Sequence, residues 1–237
     1  MLAMDHNKHI TGTDMSHIKD RGRVIDSWAN IYDIVNYFVF MIFGGGNNLR
    51  NEIAGMAKLR EAKSVLDIGC GTGNLSLEIV KRLPSGGRVI GVDAGEKMVT
   101  LAKNKLHNAQ SPIQFLRVSA GSISFKDEVF DCVFNVFLLH HLPMELKIAA
   151  FNEMYRVLRK GGELVTVDVD KPSTLLGKLI GLSRYHVKEI RDNMKAPLDS
   201  LLAEAGFENI RILKKKWGIF SYIYATKTGN DHSFKGN

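Results

Sequence analysis

"SVLDIGCGTGNLSLEIV", residues 64–80, sets three glycines between a β-branched run and apolar residues at helical spacing. Ser64 to Gly69 reads as a strand, and Asn74 to Arg82 as a helix whose Leu75, Ile79 and Leu83 face a sheet. Gly69, Gly71 and Gly73 let the backbone turn sharply from strand into helix. They are expected to leave N–H groups open at the C-terminal edge of a parallel sheet, where ligands of open α/β proteins sit. Asp67, two residues before the first glycine, either organises the loop or meets a cationic group. Asp93 closes the second strand about twenty residues after the loop, where a carboxylate accepts from ribose hydroxyls. The pattern points to a nucleoside before it points to a reaction.

Outward from the loop, strand and helix patterns alternate. "GRVIGVD" (87–93) reads as a strand and "EKMVTLAKNKLHNA" (96–109) as a helix. "IQFLRVS" (113–119) and "FDCVFNVF" (130–137) read as short buried strands. "ELKIAAFNEMYRVLRKGG" (145–162) reads as a helix ending in basic residues and glycine, and "GELVTVDV" (162–169) as the fifth strand. Strands separated by such helices mean βαβ units and a mainly parallel sheet. Pro197 to Ala205 then makes a short helix, and two strands joined at Trp217-Gly218 form an antiparallel pair at the sheet's edge. The expected fold is α/β, Rossmann-like, with a seven-stranded, mostly parallel sheet, that antiparallel C-terminal pair and an N-terminal helical lid. Its divisions are a polar segment 1–21, a helical cap 22–60, a cofactor-binding core 61–170, a lid or recognition insertion 171–195, C-terminal elements 196–228 and a tail 229–237.

Composition bounds the class. The 237 residues, 45% hydrophobic and 24% charged, describe one ordinary globular domain with appendages. Cys70 and Cys132 sit in apolar surroundings, which argues for reduced, buried thiols in a cytoplasmic protein. No N-terminal stretch has the order of a signal peptide, and the apolar run Ile34 to Gly46 is too short to span a bilayer. That run suits a membrane surface or an apolar ligand. The net charge of +7 permits anionic partners, but its cations are spread thinly apart from Lys214, Lys215 and Lys216. No cluster has metal-ligand spacing, so no metal is expected.

The loop runs Asp67-Ile68-Gly69-Cys70-Gly71-Thr72-Gly73, in G-x-G-x-G spacing, with Leu75 where the third glycine of a dinucleotide loop would be sought. With this loop the chain resembles the class I S-adenosylmethionine-dependent methyltransferases. The resemblance runs over about residues 24–228 and includes Gly161-Gly162 and "LAEAGF" (202–207). It implies S-adenosylmethionine as cofactor and S-adenosylhomocysteine as product. Asp67, Gly69, Cys70, Gly71 and Gly73 then line the cofactor site, Asp93 holds the ribose, and Ala94 and Met98 lie near adenine. Where the family often has an acid before a small residue, this chain has Ser119-Ala120. Serine can make the adenine hydrogen bond without a charge. Asp67 and Asp93 also have plain readings, as a loop-capping acid and a helix cap.

Methyl transfer from a sulfonium needs an aligned acceptor more than a catalytic triad. The chemical candidates follow the fourth strand in "NVFLLHHLP". Asn135 ends that strand near the expected donor, and His140 or His141, with His141 favoured, would take a phenolic or enolic proton. Packing is the alternative for both histidines. The Tyr32-Asp33 pair is similar to one in the ubiquinone and menaquinone biosynthesis methyltransferases, which implies a quinol or phenolic acceptor, with the apolar run 34–43 suiting a prenyl tail. Acceptor contacts are expected from Tyr32, Tyr37, His141, Arg184 and Tyr185, the last two in a segment that also reads as a packing helix.

Two alternatives stay open: a non-catalytic nucleoside or lipid binder on the same fold, and an RNA methyltransferase. Against the second, Asn135-Val136-Phe137-Leu138 stands where amino-directed nucleic-acid enzymes place Asn or Asp, Pro-Pro and an aromatic residue. The expected partners are a small or lipid-like acceptor, transient membrane-surface contact, and either no second copy or one.

Overall fold

The computed structural model describes residues 46–106, 111–183, 191–192 and 196–228. Helix α1 (Gly46–Ala54) precedes β1 (Ser64–Ile68), α2 (Asn74–Val80), β2 (Arg88–Asp93), α3 (Glu96–Asn104), β3 (Ile113–Arg117) and β4 (Phe130–Val136). A 3-10 turn at Leu139–His141 leads to α4 (Met144–Val157), β5 (Leu158–Val169), α5 (Leu175–Ser183), α6 (Leu198–Glu204), β6 (Glu208–Lys216) and β7 (Phe220–Thr226). The strands form one seven-stranded sheet in the order β3-β2-β1-β4-β5-β7-β6. The pairings among β1 to β5 are parallel, and β7 runs antiparallel to both β5 and β6. This is the Rossmann-like sheet the sequence predicts. Strand order reverses between β1 and β4, which places the expected ligand crevice at their C-terminal ends.

Two-residue alternation sorts the strands onto two cores. Leu66 and Ile68 of β1, Val133 of β4 and Leu164 of β5 pack with α4 and α6 on one face. Val65, Cys132, Phe134, Val165 and Val167 pack with α1 and α2 on the other. Each fully buried Leu, Ile, Val or Phe contributes about 1.5–3 kcal/mol, so both faces hold the sheet firmly. The same parity puts Asp67 on the α1–α2 face and Asp168 on the α4 face, both near the crevice.

One expectation changes in detail. The helix expected over 145–162 ends at Val157, because Leu158 is already extended (ψ 134°) and pairs with Phe130. Between Leu158 and Glu163 the chain loops out of the ladder through Gly161, at φ 77°. The C-terminal antiparallel pair stands at the sheet's edge as expected, with β7 beside β5 and β6 outermost. Trp217 and Gly218, at φ 50° and 68°, form the tight turn of that hairpin, with Ile219 N–H donating to Lys216 O. The expected segments 1–21 and 229–237 lie outside the described residues, and so do 22–45 of the cap and most of 184–195.

Candidate active site

The glycine loop is held more tightly than its sequence suggests. Gly69 and Cys70 N–H groups both donate to Val92 O, Gly73 N–H donates to Cys70 O, and Gly71 N–H donates to Asp93 Oδ2 at 2.9 Å. These donors therefore serve the loop itself, and the expectation of open N–H groups is corrected for these four. What the glycines provide is close approach. Gly69 sits at φ 73°, and a Cβ there would lie 2.9 Å from Leu138. Gly73, at φ 79°, starts α2 in a left-handed conformation, and its Cβ would meet the Phe115 ring at 2.4 Å.

A cleft opens above this loop, enclosing about 590 Å³ including its solvent-open mouth. Asp67, Gly69, Cys70 and Gly71 form one wall, Val136 and Phe137 after β4 another, and Leu49, Arg50 and Ile53 of α1 a third. Phe137 is the only non-glycine residue of this lining at positive φ (54°). Its N–H donates to Val167 O, and its ring packs edge-on against Phe220 at 5.9 Å. Those contacts hold a conformation that otherwise costs about 1–3 kcal/mol.

Asp67 is 1% exposed and accepts from Ser76 Oγ at 2.5 Å. Burial pushes its pKa up to about 7, the Ser76 hydrogen bonds pull it down in part, and the Asp93 charge pushes it up again. A cation arriving in the cleft would reverse that penalty. Asp93 accepts from Gly95 N–H at 2.8 Å with its other oxygen, so its carboxylate ties β2 to both the loop and the start of α3.

At the neighbouring strand ends lies a second constellation. Asp168, fully buried, accepts from Leu139 N–H and Val169 N–H, each at 2.7 Å, and its Oδ1 lies 2.7 Å from His140 Nδ1. Burial alone would raise its carboxyl. The His140 charge and hydrogen bond, the Val169 N–H and the His141 charge outweigh burial and hold it below the usual range. An ionised carboxylate only accepts, so Nδ1 of His140 carries the proton and Nε2 is the basic nitrogen. The His141 ring lies 3.9 Å from that of His140, tilted by 43°. His140 thus has the orienting acid that the sequence reading, which favoured His141, did not supply.

The remaining expected residues fall into three groups. Asn135 is fully buried, donates to Ile68 O at 3.2 Å and accepts from Thr166 Oγ1 at 3.1 Å, so its amide links β4 to both neighbours. Ala94 and Met98 follow β2 and Ser119 and Ala120 follow β3, and none of them lines the cleft as formed, nor does Gly73. Tyr32, Tyr37, Arg184 and Tyr185 lie outside the described residues. Asp168 and Arg50 were missed. Asp168, set between Val167 and Val169 in the mostly apolar second half of its strand, is the signal that marked it, because such a strand buries a charge only with partners; Arg50 carries no such signal.

Comparison with known proteins decides the family. The methyltransferase-domain family profile matches residues 65–162. A ubiquinone/menaquinone biosynthesis C-methyltransferase of Marinomonas sp. is 30% identical over 81% of this chain and 84% of its own length. The chain belongs to the class I S-adenosylmethionine-dependent methyltransferases. The demethylmenaquinone methyltransferase of Lactiplantibacillus plantarum is 27% identical over 86% of this chain and 94% of its own. Among solved structures, the phosphoethanolamine N-methyltransferase 2 of Haemonchus contortus with S-adenosylmethionine superposes with a TM-score of 0.67. That match has 17% identity and covers 88% of this chain and 59% of the other, so it shows the shared fold. This methyltransferase takes its methyl group from S-adenosylmethionine.

The cleft fits that donor. Its floor is free of side chains at Gly69 and Gly71, and among the described residues no cation pairs with the buried Asp67 carboxyl, a place that an ammonium would fill. Among the described residues no helix is long and apolar enough to cross a membrane.

Asp93 gives a first expected result. In Asp93→Asn an amide N–H₂ must face one of the two backbone N–H groups, so stability falls by about 1–3 kcal/mol and donor affinity by tenfold or more. Calorimetric titration with S-adenosylmethionine checks it, and unchanged affinity would remove Asp93 from the site.

Proposed function

We propose that this methyltransferase places its methyl group on a ring carbon of an apolar, prenyl-bearing hydroquinone. The observation that carries the reading is the His140–Asp168 pair at the sheet edge beside the cleft. An amine acceptor is nucleophilic as soon as it is neutral, whereas a hydroquinone ring carbon becomes nucleophilic when a ring hydroxyl loses its proton. A neutral imidazole with a fixed tautomer suits that removal. The 30% identical relative is a ubiquinone/menaquinone biosynthesis C-methyltransferase, which supports the same acceptor class.

In this reading the chain's groups divide the work. Asp67 faces the donor's ammonium and Arg50 its carboxylate, Asp93 holds the ribose hydroxyls, and Ala94, Met98, Ser119 and Ala120 border the adenine. Bound S-adenosylmethionine supplies an electrophilic methyl on a cationic sulfur. Asp168 keeps the proton on His140 Nδ1, and His140 Nε2 takes the acceptor's hydroxyl proton, which spreads negative charge onto the ring carbon. Asn135 acts from inside the sheet by fixing the end of β4. Phe137 and α1 exclude water from one side of the cleft. The acceptor's contacts are assigned in this reading to Tyr32, Tyr37, His141, Arg184 and Tyr185, and its tail to the apolar run 34–43.

The test is competition. The purified protein with S-adenosylmethionine is offered a reduced prenylated naphthohydroquinone, phosphoethanolamine and an RNA oligonucleotide together, and products are weighed by mass spectrometry. A single methyl gain on the hydroquinone alone is expected. Methylation of the amine or the RNA instead, or of none of the three, would overturn the assignment.

A further inference from the structure

Helix α5 is packed the wrong way round for an ordinary amphipathic helix. Thr174 caps it, with Gly177 N–H donating to Thr174 Oγ1 at 3.0 Å. Its inner side is glycine: Gly177 and Gly181 are buried, and a Cβ on Gly177 would lie 2.5 Å from Gly218 O in the β6–β7 turn. Ile180 adds one contact to Val169 and Ile219. The four leucines lie away from that glycine side. Leu175, Leu176, Leu179 and Leu182 are 76%, 54%, 57% and 66% exposed, and the spacing of 175, 179 and 182 makes them one stripe. A helix that seats its glycines and presents its leucines is built for an apolar phase outside the protein.

Charge says which phase. From Lys171 to Ser183 the chain carries Lys171 and Lys178 and no acidic residue. Lys171 and Lys178 are exposed at the start and flank of the leucine stripe. Apolar residues with Lys171 and Lys178 beside them, and no carboxylate among residues 171–183, match the boundary of an anionic bilayer, where leucines enter the acyl region and lysines meet headgroup charge. The helix also follows the C-terminal end of β5, the same sheet edge that carries Asp168 and the cleft.

We infer that α5 is an interfacial helix that docks the enzyme on an anionic lipid surface with its catalytic edge toward the bilayer. Its purpose, reaching a lipid-soluble acceptor, rests on the hydroquinone reading; its test does not, because no acceptor is used. The full chain is sedimented with vesicles of phosphatidylcholine containing phosphatidylglycerol and with vesicles of phosphatidylcholine alone, at low and high salt. Two variants are run beside it, Leu175→Gln/Leu179→Gln and Lys178→Glu, with S-adenosylmethionine affinity confirming that each is folded. Wild type is expected to bind the anionic vesicles and to be released by salt. The leucine pair should lower partitioning about tenfold or more, and Lys178→Glu should lower it several-fold at low salt only. Wild type left in the supernatant with both vesicles, or leucine variants that bind as well as wild type, would overturn the inference. So would a dimer in sedimentation velocity that the leucine variant converts to monomer, since a second copy would then cover the face.

Discussion

Asp67→Asn is expected to make the donor-free protein more stable at pH 8 and a much poorer binder of S-adenosylmethionine. The buried carboxyl titrates at about 7 in the folded chain, against 3.8 for a free side chain. Below about pH 4 both folded and unfolded states hold the proton, and the acid costs nothing. Between about 4 and 7 only the unfolded state releases it, so stability falls as pH rises. Above 7 the folded state carries the full penalty, on the order of 4 kcal/mol at about 1.4 kcal/mol per unit. Asparagine is neutral throughout and can still accept from Ser76. Its melting temperature should therefore match wild type near pH 4 and exceed it by about 8–16 °C at pH 8. A buried charge pair lost on binding costs tenfold or more in affinity. Wild-type affinity should itself drop about tenfold per pH unit below 7, because binding must expel the Asp67 proton. A destabilised Asp67→Asn at pH 8 would contradict the account of this residue.

His140→Gln is expected to lower kcat by about 10²–10⁴ with S-adenosylmethionine affinity unchanged, since proton removal is the step it takes part in. Asp168→Asn should fall in the same range for a different reason. An asparagine can donate to Nδ1 and move the imidazole proton to Nε2, which blocks the basic nitrogen. Because the Asp168 carboxyl titrates below its usual range, its contribution to stability is present above about pH 4 and lost as pH falls through the folded value; Asp168→Asn forfeits it at neutral pH. His141→Ala should change kcat far less. The discriminating readout is kcat at saturating S-adenosylmethionine set against donor affinity: in His140→Gln the first falls and the second stays that of wild type. Equal kcat in His140→Gln and wild type would return both histidines to packing roles.

The loop residues 67–73 and the alternation of strands and helices carry the sheet, because period-two and helical spacings are local properties of the chain. Parity along β1 and β5 was equally local, yet it did not say which helix each acid would face. Asp67 meets Ser76 across the sheet–helix gap, and Asp168 meets His140 across 28 residues of chain. For that reason the adjacent His140 and His141 looked alike in sequence, and only the fold gives one of them a carboxylate. The glycine loop teaches a similar lesson. Its spacing showed where the backbone turns, while the bonds to Val92 O and Asp93 that use its N–H groups come from β2. In α5 the leucine stripe is plain at 175, 176, 179 and 182, but periodicity reports that a stripe exists and not whether protein or solvent lies against it.

The most direct measurement uses S-adenosylmethionine labelled with ¹³C in its methyl group, a reduced prenylated naphthohydroquinone and the purified enzyme, read by carbon NMR. The account predicts a single new signal at the shift of a methyl on an aromatic ring carbon, formed by wild type and all but lost with His140→Gln. A methyl signal on oxygen, or label that never leaves the donor, would contradict it.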